Sequence, residues 1–417
     1  MTIIHDPSYT PPPMLHQHGL NRLFAAGADA DYRNHTLKYG RFDPASAGTE
    51  LITLLKQAGL TGRGGAGFET WRKLAATQDA RSGRLFGAGP VVIANGAEGE
   101  PRSIKDAMLL RHAPHLIIDG ILAVAAALKA SQIHLFLERA SMPGVSAALA
   151  QRADAKHIVL TEAAETFISG EASAVINAIE NGIALPEDRI RRLSESGLKR
   201  RPTLVQNVET CAHIALIARF GAPWFRSIGT SRDPGTRLVT VSGDARETVL
   251  EVAGDTPLRE ILHRCGTEPA ATTAVLVGGY HGTWIPADQL ELPLSGEGLA
   301  PVGGNPGAGV IFVLGRHRCG LQTTAEILEY LAHESAQQCG PCMFGLPAMA
   351  GLLTRIAAGS TDPRLVSELR RLSDSVAGRG SCHHPDGTSR LVLSALWAFS
   401  ADVTQHLSGR CLRAARG

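Results

Sequence analysis

The stretch Pro90-Val91-Val92-Ile93-Ala94-Asn95-Gly96-Ala97-Glu98-Gly99-Glu100-Pro101 decides the fold. Three β-branched residues in succession, inside an unbroken apolar run, predict a strand buried on both faces. The run then breaks into glycines and carboxylates, the composition of a loop. Downstream, residues 114–129 have helical spacing, and Ile133-His134-Leu135-Phe136-Leu137 and His157-Ile158-Val159-Leu160 read as further strands. Upstream, residues 50–58 carry the apolar spacing of a short helix. The cluster Thr61-Gly62-Arg63-Gly64-Gly65-Ala66-Gly67-Phe68 follows, and then a helix through Trp71 and Leu74. Strands that alternate with helices predict an α/β fold with a mostly parallel sheet.

The pattern changes near residue 235. Residues 237–243 and 248–252 read as a strand pair, 257–265 as a short helix and 274–279 as another strand, which is the order of a small α+β unit. From Thr323 onward the spacing is helical, with one interruption at residues 378–387, and predicts a helical bundle. The expected division is an N-terminal extension (1–49), an α/β domain (50–236), the small α+β domain (237–319) and the bundle (320–417). Pro7-Ser8-Tyr9-Thr10-Pro11-Pro12-Pro13 reads as an extended lead-in.

The 417 residues are 44% hydrophobic and 19% charged, with net charge +2. That is an ordinary globular balance, and it argues against a nucleic-acid binder. The most apolar stretch, residues 115–128, carries His115 and Asp119 and falls short of the ~20 residues of a membrane span. No direct membrane insertion is expected. The cysteines are Cys211, Cys265, Cys319, Cys339, Cys342, Cys382 and Cys411. An odd number concentrated toward the C-terminus argues against a secreted disulfide framework and for a cytoplasmic protein with a metal or redox site there.

Two loops carry the chemistry. Gly62, Gly64, Gly65 and Gly67 permit positive φ and close backbone approach to a ligand just before a helix, whose free N–H groups can hold phosphate. Arg63 and Lys73 add positive charge. Alone, such a cluster is as readily a flexible turn, and it matches neither common nucleotide fingerprint. Asn95, Glu98 and Glu100 follow a buried strand, where open α/β sheets bind ligands. Their side chains suit the N–H and carbonyl groups of a flavin or a nicotinamide; a solvated acidic turn is the bland alternative.

Taken together the motifs resemble the flavin- and NADH-binding subunit of respiratory complex I. The likeness rests on the glycine loop, on 95–101 with Lys105-Asp106, on Phe167-Ile168-Ser169-Gly170-Glu171 and on Gln206-Asn207-Val208-Glu209-Thr210. They occur in the family's order, and the likeness covers about residues 50–400. The resemblance implies FMN, hydride transfer from NADH or NADPH, a ubiquitin-like β-grasp (SLBB-like) domain near 237–314 and an iron–sulfur bundle. It implies that residues 62–67 and Lys73 cradle the FMN phosphate and ribityl chain, and that Asn95, Glu98, Gly170, Glu171 and Asn207 line the flavin. Glu100 falls near the nicotinamide and Phe68 near the adenine. Glu98 and Glu100 are thus the carboxylates at the reacting end, with no general base needed, because hydride passes directly from nicotinamide to flavin.

The chain departs from the family in two places. The family's first cysteine segment has three cysteines. Here Cys339 and Cys342 remain and Ala336 stands in the third place, while Cys382 matches the distant ligand. A [4Fe–4S] cluster ordinarily takes four thiolates, so His383, His384, Cys319 or a labile iron is left for the fourth position, with His383 preferred. A dithiol redox pair and a cluster-free bundle are the competing readings. Where the family has a lysine and an adenine-stacking aromatic, this chain has Arg189-Ile190-Arg191-Arg192-Leu193. Arg189 and Arg192 can stack on adenine or hold a 2′-phosphate, or form a solvated basic face. The resulting expectation is an FMN-dependent NAD(P)H dehydrogenase subunit that passes electrons to a ferredoxin-like or [2Fe–2S] partner. The alternative is a non-catalytic scaffold that retains the fold.

Overall fold

A computed structural model describes residues 20–27, 31–82, 89–188 and 190–412. The proline-rich lead-in and Arg189 lie outside the described residues. The decisive stretch forms β1 (Val91–Gly96). With β2 (Gln132–Leu137), β3 (Ile158–Glu162) and β4 (Thr203–Asn207) it builds a four-stranded sheet in the order β3-β2-β1-β4. Every pairing is parallel. Alternation along β1 sends Val92 and Ala94 into one apolar core and Val91 and Ile93 into another on the opposite face. Both faces are covered, which is why the strand reads as a continuous apolar run.

The helix Pro114–Leu128 is almost wholly buried. It crosses the helix Val208–Arg226, and a side chain at Gly120 would collide with the Cys211 backbone. Asp119, fully buried on that helix, is held by His35 at 2.7 Å, Arg152 at 2.6 Å and Arg219 at 2.6 Å. Among the described residues no single helix is long and apolar enough to cross a membrane. The nearest approach, Lys105–His112 followed by Pro114–Leu128, is bent by 94°.

The second sheet contains β5 (Thr236–Gly243), β6 (Thr248–Ala253), β7 (Thr272–Val277), β8 (Thr283–Pro286) and β9 (Val310–Gly315). Its order is β6-β5-β9-β7-β8, parallel only between β5 and β9, with the helix Leu258–Arg264 between β6 and β7. This is the ubiquitin-like β-grasp arrangement. Alternation again divides the faces. Val275, Val277, Ile311 and Val313 pack with the sheet's own helix, whereas Ala274, Leu276, Phe312 and Leu314 pack with the C-terminal helices. The buried Trp284 ring meets Phe399 edge-on at 5.1 Å.

The C-terminal helices are Gly320–His333, Leu346–Ala357, Arg364–Val376, His384–Ala398 and Ser400–His406, with a wide turn at Pro341–Gly345. The interruption expected at 378–387 is a turn that ends where the fourth of these helices begins.

Candidate functional site

A cleft of about 850 Å³ opens beyond the carboxyl ends of β1 and β4. Gly62, Gly64, Gly65, Gly67, Asn95, Glu98, Glu100, Gly170, Glu171 and Asn207 all line it. Segments that are distant in sequence therefore converge where parallel sheets bind ligands. At its edge Gly65 has φ +114° and Gly67 φ +61°, the left-handed region that glycine tolerates. A side chain added at Gly67 would meet nothing within 4 Å, so the loop presents bare backbone to open space.

The polar residues are held from several directions. Asn95 Nδ2 donates to the Gly170 carbonyl at 2.9 Å. Glu171 caps the helix Ala172–Asn181 by accepting from Ser173 N at 2.8 Å and Ala174 N at 3.0 Å. Asn207 caps Val208–Arg226 and donates to Asp106 Oδ2 at 2.6 Å. Glu98 accepts from the Ser103 hydroxyl and from the Asp106 and Ala107 N–H groups at 3.2 Å each. Burial, reinforced by Asp106, pushes its carboxyl up to about 8. Glu100 accepts from Tyr280 N at 2.7 Å, a contact from the second sheet's β7–β8 turn, and burial raises its carboxyl to about 7.

Beside them lies a buried ionic cluster. Lys105 Nζ sits 2.7 Å from Asp106 and 2.9 Å from Glu209, and Glu209 in turn accepts from Leu238 N of β5 at 2.8 Å. Lys105 stays protonated: burial lowers its pKa, but Asp106, Glu209 and Glu98 more than reverse that. The cluster ties the two sheets together at the cleft wall, which Lys105 and Asp106 help to line.

The positive charge is distributed differently from the sequence expectation. Arg63 is buried and turned away from the cleft, bonded to Thr61 at 3.0 Å and the Pro234 carbonyl at 3.2 Å. Lys73, on the helix Thr70–Ser82, and Phe68, which is exposed, are outside the lining. Arg192 is exposed and also outside it. Arg232 and Arg237 line the cleft instead. Arg237 holds Asp233 and leaves its buried Nε without a partner among the described residues. No local pattern distinguishes it, because it arrives from a strand of the other sheet. A ligand with an anionic group fits this wall, where open glycine backbone and the Arg232 and Arg237 side chains border the same cleft. The volume falls within the roughly 300–1,000 Å³ of small-molecule sites.

Cys382, His383 and His384 form part of the same lining. Cys342 is buried and is influenced by both Cys339 and Cys382, of which Cys382 lines the cleft. Burial, then the neighbouring thiols, pushes Cys342 up to about 12. For Cys339 burial acts the same way, but hydrogen bonds to its sulfur from the Cys342 and Ser381 backbone outweigh it and lower the pKa. A cationic iron–sulfur centre would relieve this crowding of thiols, and three soft donors beside a cleft fit one.

The other proposed ligands are exposed or engaged by other partners. The His383 side chain is fully exposed, with Nδ1 3.1 Å from Asp386. Both ring nitrogens of His384 are engaged, by His281 at 3.1 Å and the Leu331 carbonyl at 2.8 Å. Cys319 faces His406 and Cys411. Between cleft and bundle, Phe167 packs edge-on against His281 at 4.8 Å and His384 at 5.5 Å, a contact the sequence does not show.

Such a fold and cleft define a nucleotide- or flavin-type oxidoreductase site joined to a thiol-ligated centre. Residues 55–216 match the Nuo51 FMN-binding domain, and residues 322–406 match the NADH-ubiquinone oxidoreductase-F iron-sulfur binding region. The NADH-quinone oxidoreductase F subunit of Salmonella typhimurium is 30% identical over 84% of this chain and 82% of the relative. The corresponding F2 protein of Rhizobium meliloti is 28% identical over 92% of this chain and 94% of the relative. A chain of an NAD+-reducing [NiFe]-hydrogenase in the H2-reduced state superposes with a TM-score of 0.78 at 27% identity over 88% of this chain. The present chain spans 63% of that hydrogenase chain, just under two thirds of its length. The chain belongs to the family of NADH-quinone oxidoreductase F subunits.

Proposed function

We propose that this protein is an FMN-dependent NAD(P)H oxidoreductase subunit. It takes hydride from reduced nicotinamide in the cleft and passes electrons through an iron–sulfur cluster on Cys339, Cys342 and Cys382 to a partner protein. The observation that carries this reading is that Cys382 lines the same cleft as the glycine loop and Glu98. When bound, FMN supplies a centre that accepts electrons in pairs and releases them singly.

The chain's own residues do the rest. The glycine loop and Arg237 bind the phosphate end. Asn95, Glu98 and Asn207 orient the ring, each already fixed by a backbone or side-chain partner. Glu100, positioned by the Tyr280 N–H, faces the nicotinamide side, and Phe167 and Ile168 exclude water from the wall nearest the thiols. Division into residues 50–236, 237–319 and 320–417 assigns one of these tasks to each unit. The fourth cluster position goes to a non-cysteine ligand, and His383 reaches it only by leaving Asp386. Electrons then leave to a ferredoxin-like or [2Fe–2S] protein, as expected of a subunit acting in the cytoplasm.

The test is an absorbance spectrum of anaerobically purified protein with iron and sulfide analysis, before and after NADH or NADPH. A yellow-brown protein that bleaches with either nucleotide supports the reading. A colourless protein that takes up no FMN on reconstitution overturns it in favour of a scaffold.

A further inference from the structure

Three potential ligands that the flavin and cluster sites do not use meet at the far end of the bundle. Cys319, His406 and Cys411 present ligand atoms that all lie within 4.8 Å of one another. Cys319 Sγ is 3.4 Å from His406 Nε2. With Zn–S near 2.3 Å and Zn–N near 2.0 Å, the edge of a tetrahedral site is roughly 3.5–3.8 Å, so this separation is close to that of two ligands sharing one ion.

The surroundings place Cys319 for a ligand role. It is the N-cap of the helix Gly320–His333, buried at the positive end of the helix dipole. His406 ends the helix Ser400–His406 and is 2% exposed. One turn earlier on that helix, Asp402 is buried, and its Oδ1 has no hydrogen-bond partner among the described residues. It is an unsatisfied buried carboxylate one helical turn from His406 and is not itself one of the three grouped ligands, so the fourth position is left to an ordered water.

We propose that Cys319, His406 and Cys411 bind a structural zinc-type divalent ion, separate from the iron–sulfur site. Two thiolates and an imidazole are the donor set that zinc prefers. The ion joins the residue that opens the bundle to the helix that closes it and to the tail beyond. It thereby staples the ends of the unit that carries Cys339, Cys342 and Cys382, and a clip closing so long a loop removes more entropy from the unfolded chain than a local one.

The test uses the full chain with the cluster thiols removed (Cys339→Ser with Cys382→Ser), so that zinc cannot lodge there. Reduced protein is equilibrated with zinc, freed of excess and analysed for metal; a parallel sample takes cobalt(II). About one zinc per chain is expected, together with cobalt bands of a tetrahedral thiolate site. Adding Cys411→Ser, at a partly exposed tail position where folding is not at stake, should reduce zinc to below about a tenth per chain, since the thiolate is a direct ligand. Retention of zinc in that variant, or none bound by the parent, overturns the proposal. So does a Cys319–Cys411 disulfide that persists in the protein as isolated anaerobically, because it would consume both sulfurs.

Discussion

Two charged segments border the parallel sheet and have opposite fates. Residues 95–103 leave β1 and are gripped at every turn, by Gly170, by the N–H groups of the helix Lys105–His112, and by Tyr280 from the second sheet. Residues 190–201, richer in charge, are half exposed, Arg191 and Arg192 among the exposed ones, while Arg201 is fastened to the Gly89 carbonyl at 3.0 Å at the amino end of the sheet. Charge density in sequence is similar evidence for both. What separates them is anchoring: a charge held by several elements is desolvated and oriented, whereas an exposed one is screened and mobile.

The comparison predicts where substitutions act. The largest effect is expected in the anchored wall, at Cys382→Ser. Removing a cluster ligand should cost more than the roughly 10–100-fold typical of outer-shell partners. Iron content and electron transfer to a ferredoxin should collapse, while nicotinamide still bleaches the flavin. Equal iron in variant and wild type would detach Cys382 from the site.

Gly387→Ala comes next. It lies where Cys382, His384 and the cleft meet, and a side chain there would strike the His281 ring. Overpacking of this kind costs about 1–3 kcal/mol, to be seen as a lower urea midpoint. An unchanged midpoint would mean that this wall yields more readily than its packing indicates.

Glu100→Gln should have a smaller, pH-dependent effect. Burial raises this carboxyl from 4.5 to about 7 in the folded protein, so folding favours the protonated acid. That contribution is complete below the unfolded value and is lost as pH rises through the folded one. Wild type should therefore lose more stability between about pH 4.5 and pH 7 than the variant, whose amide does not titrate. Parallel pH profiles would place Glu100 among the screened charges instead.

The smallest effect belongs to the basic segment. Arg192→Ala should raise the KM for NADH or NADPH by no more than about fivefold, the scale of an exposed ion pair worth up to ~1 kcal/mol. A larger change confined to NADPH would show that a bound 2′-phosphate anchors this segment after all.

Much of this was legible beforehand. The apolar run of β1, the glycine loop and the Asn-Gly-Ala-Glu-Gly-Glu turn are local patterns, since burial on both faces and positive φ each leave a mark on neighbouring residues. The strand pair 237–252, the short helix and β7 were readable for the same reason. Strands β8 and β9 were not: β8 has four residues, and the pairing of β9 beside β5 depends on partners some seventy positions away.

By itself, then, the sequence determined the parallel sheet and the Cys339-Gly340-Pro341-Cys342 pair, because each is written in contiguous or closely spaced residues, whereas Cys382 was legible only through the family resemblance. Only the tertiary structure decided that Arg63 turns inward while Arg237 faces the cleft, that His384 is committed to His281, and that Cys319 joins His406 and Cys411. Those outcomes depend on which side chains meet across elements far apart in the chain, and packing between such elements leaves no periodic trace in either one.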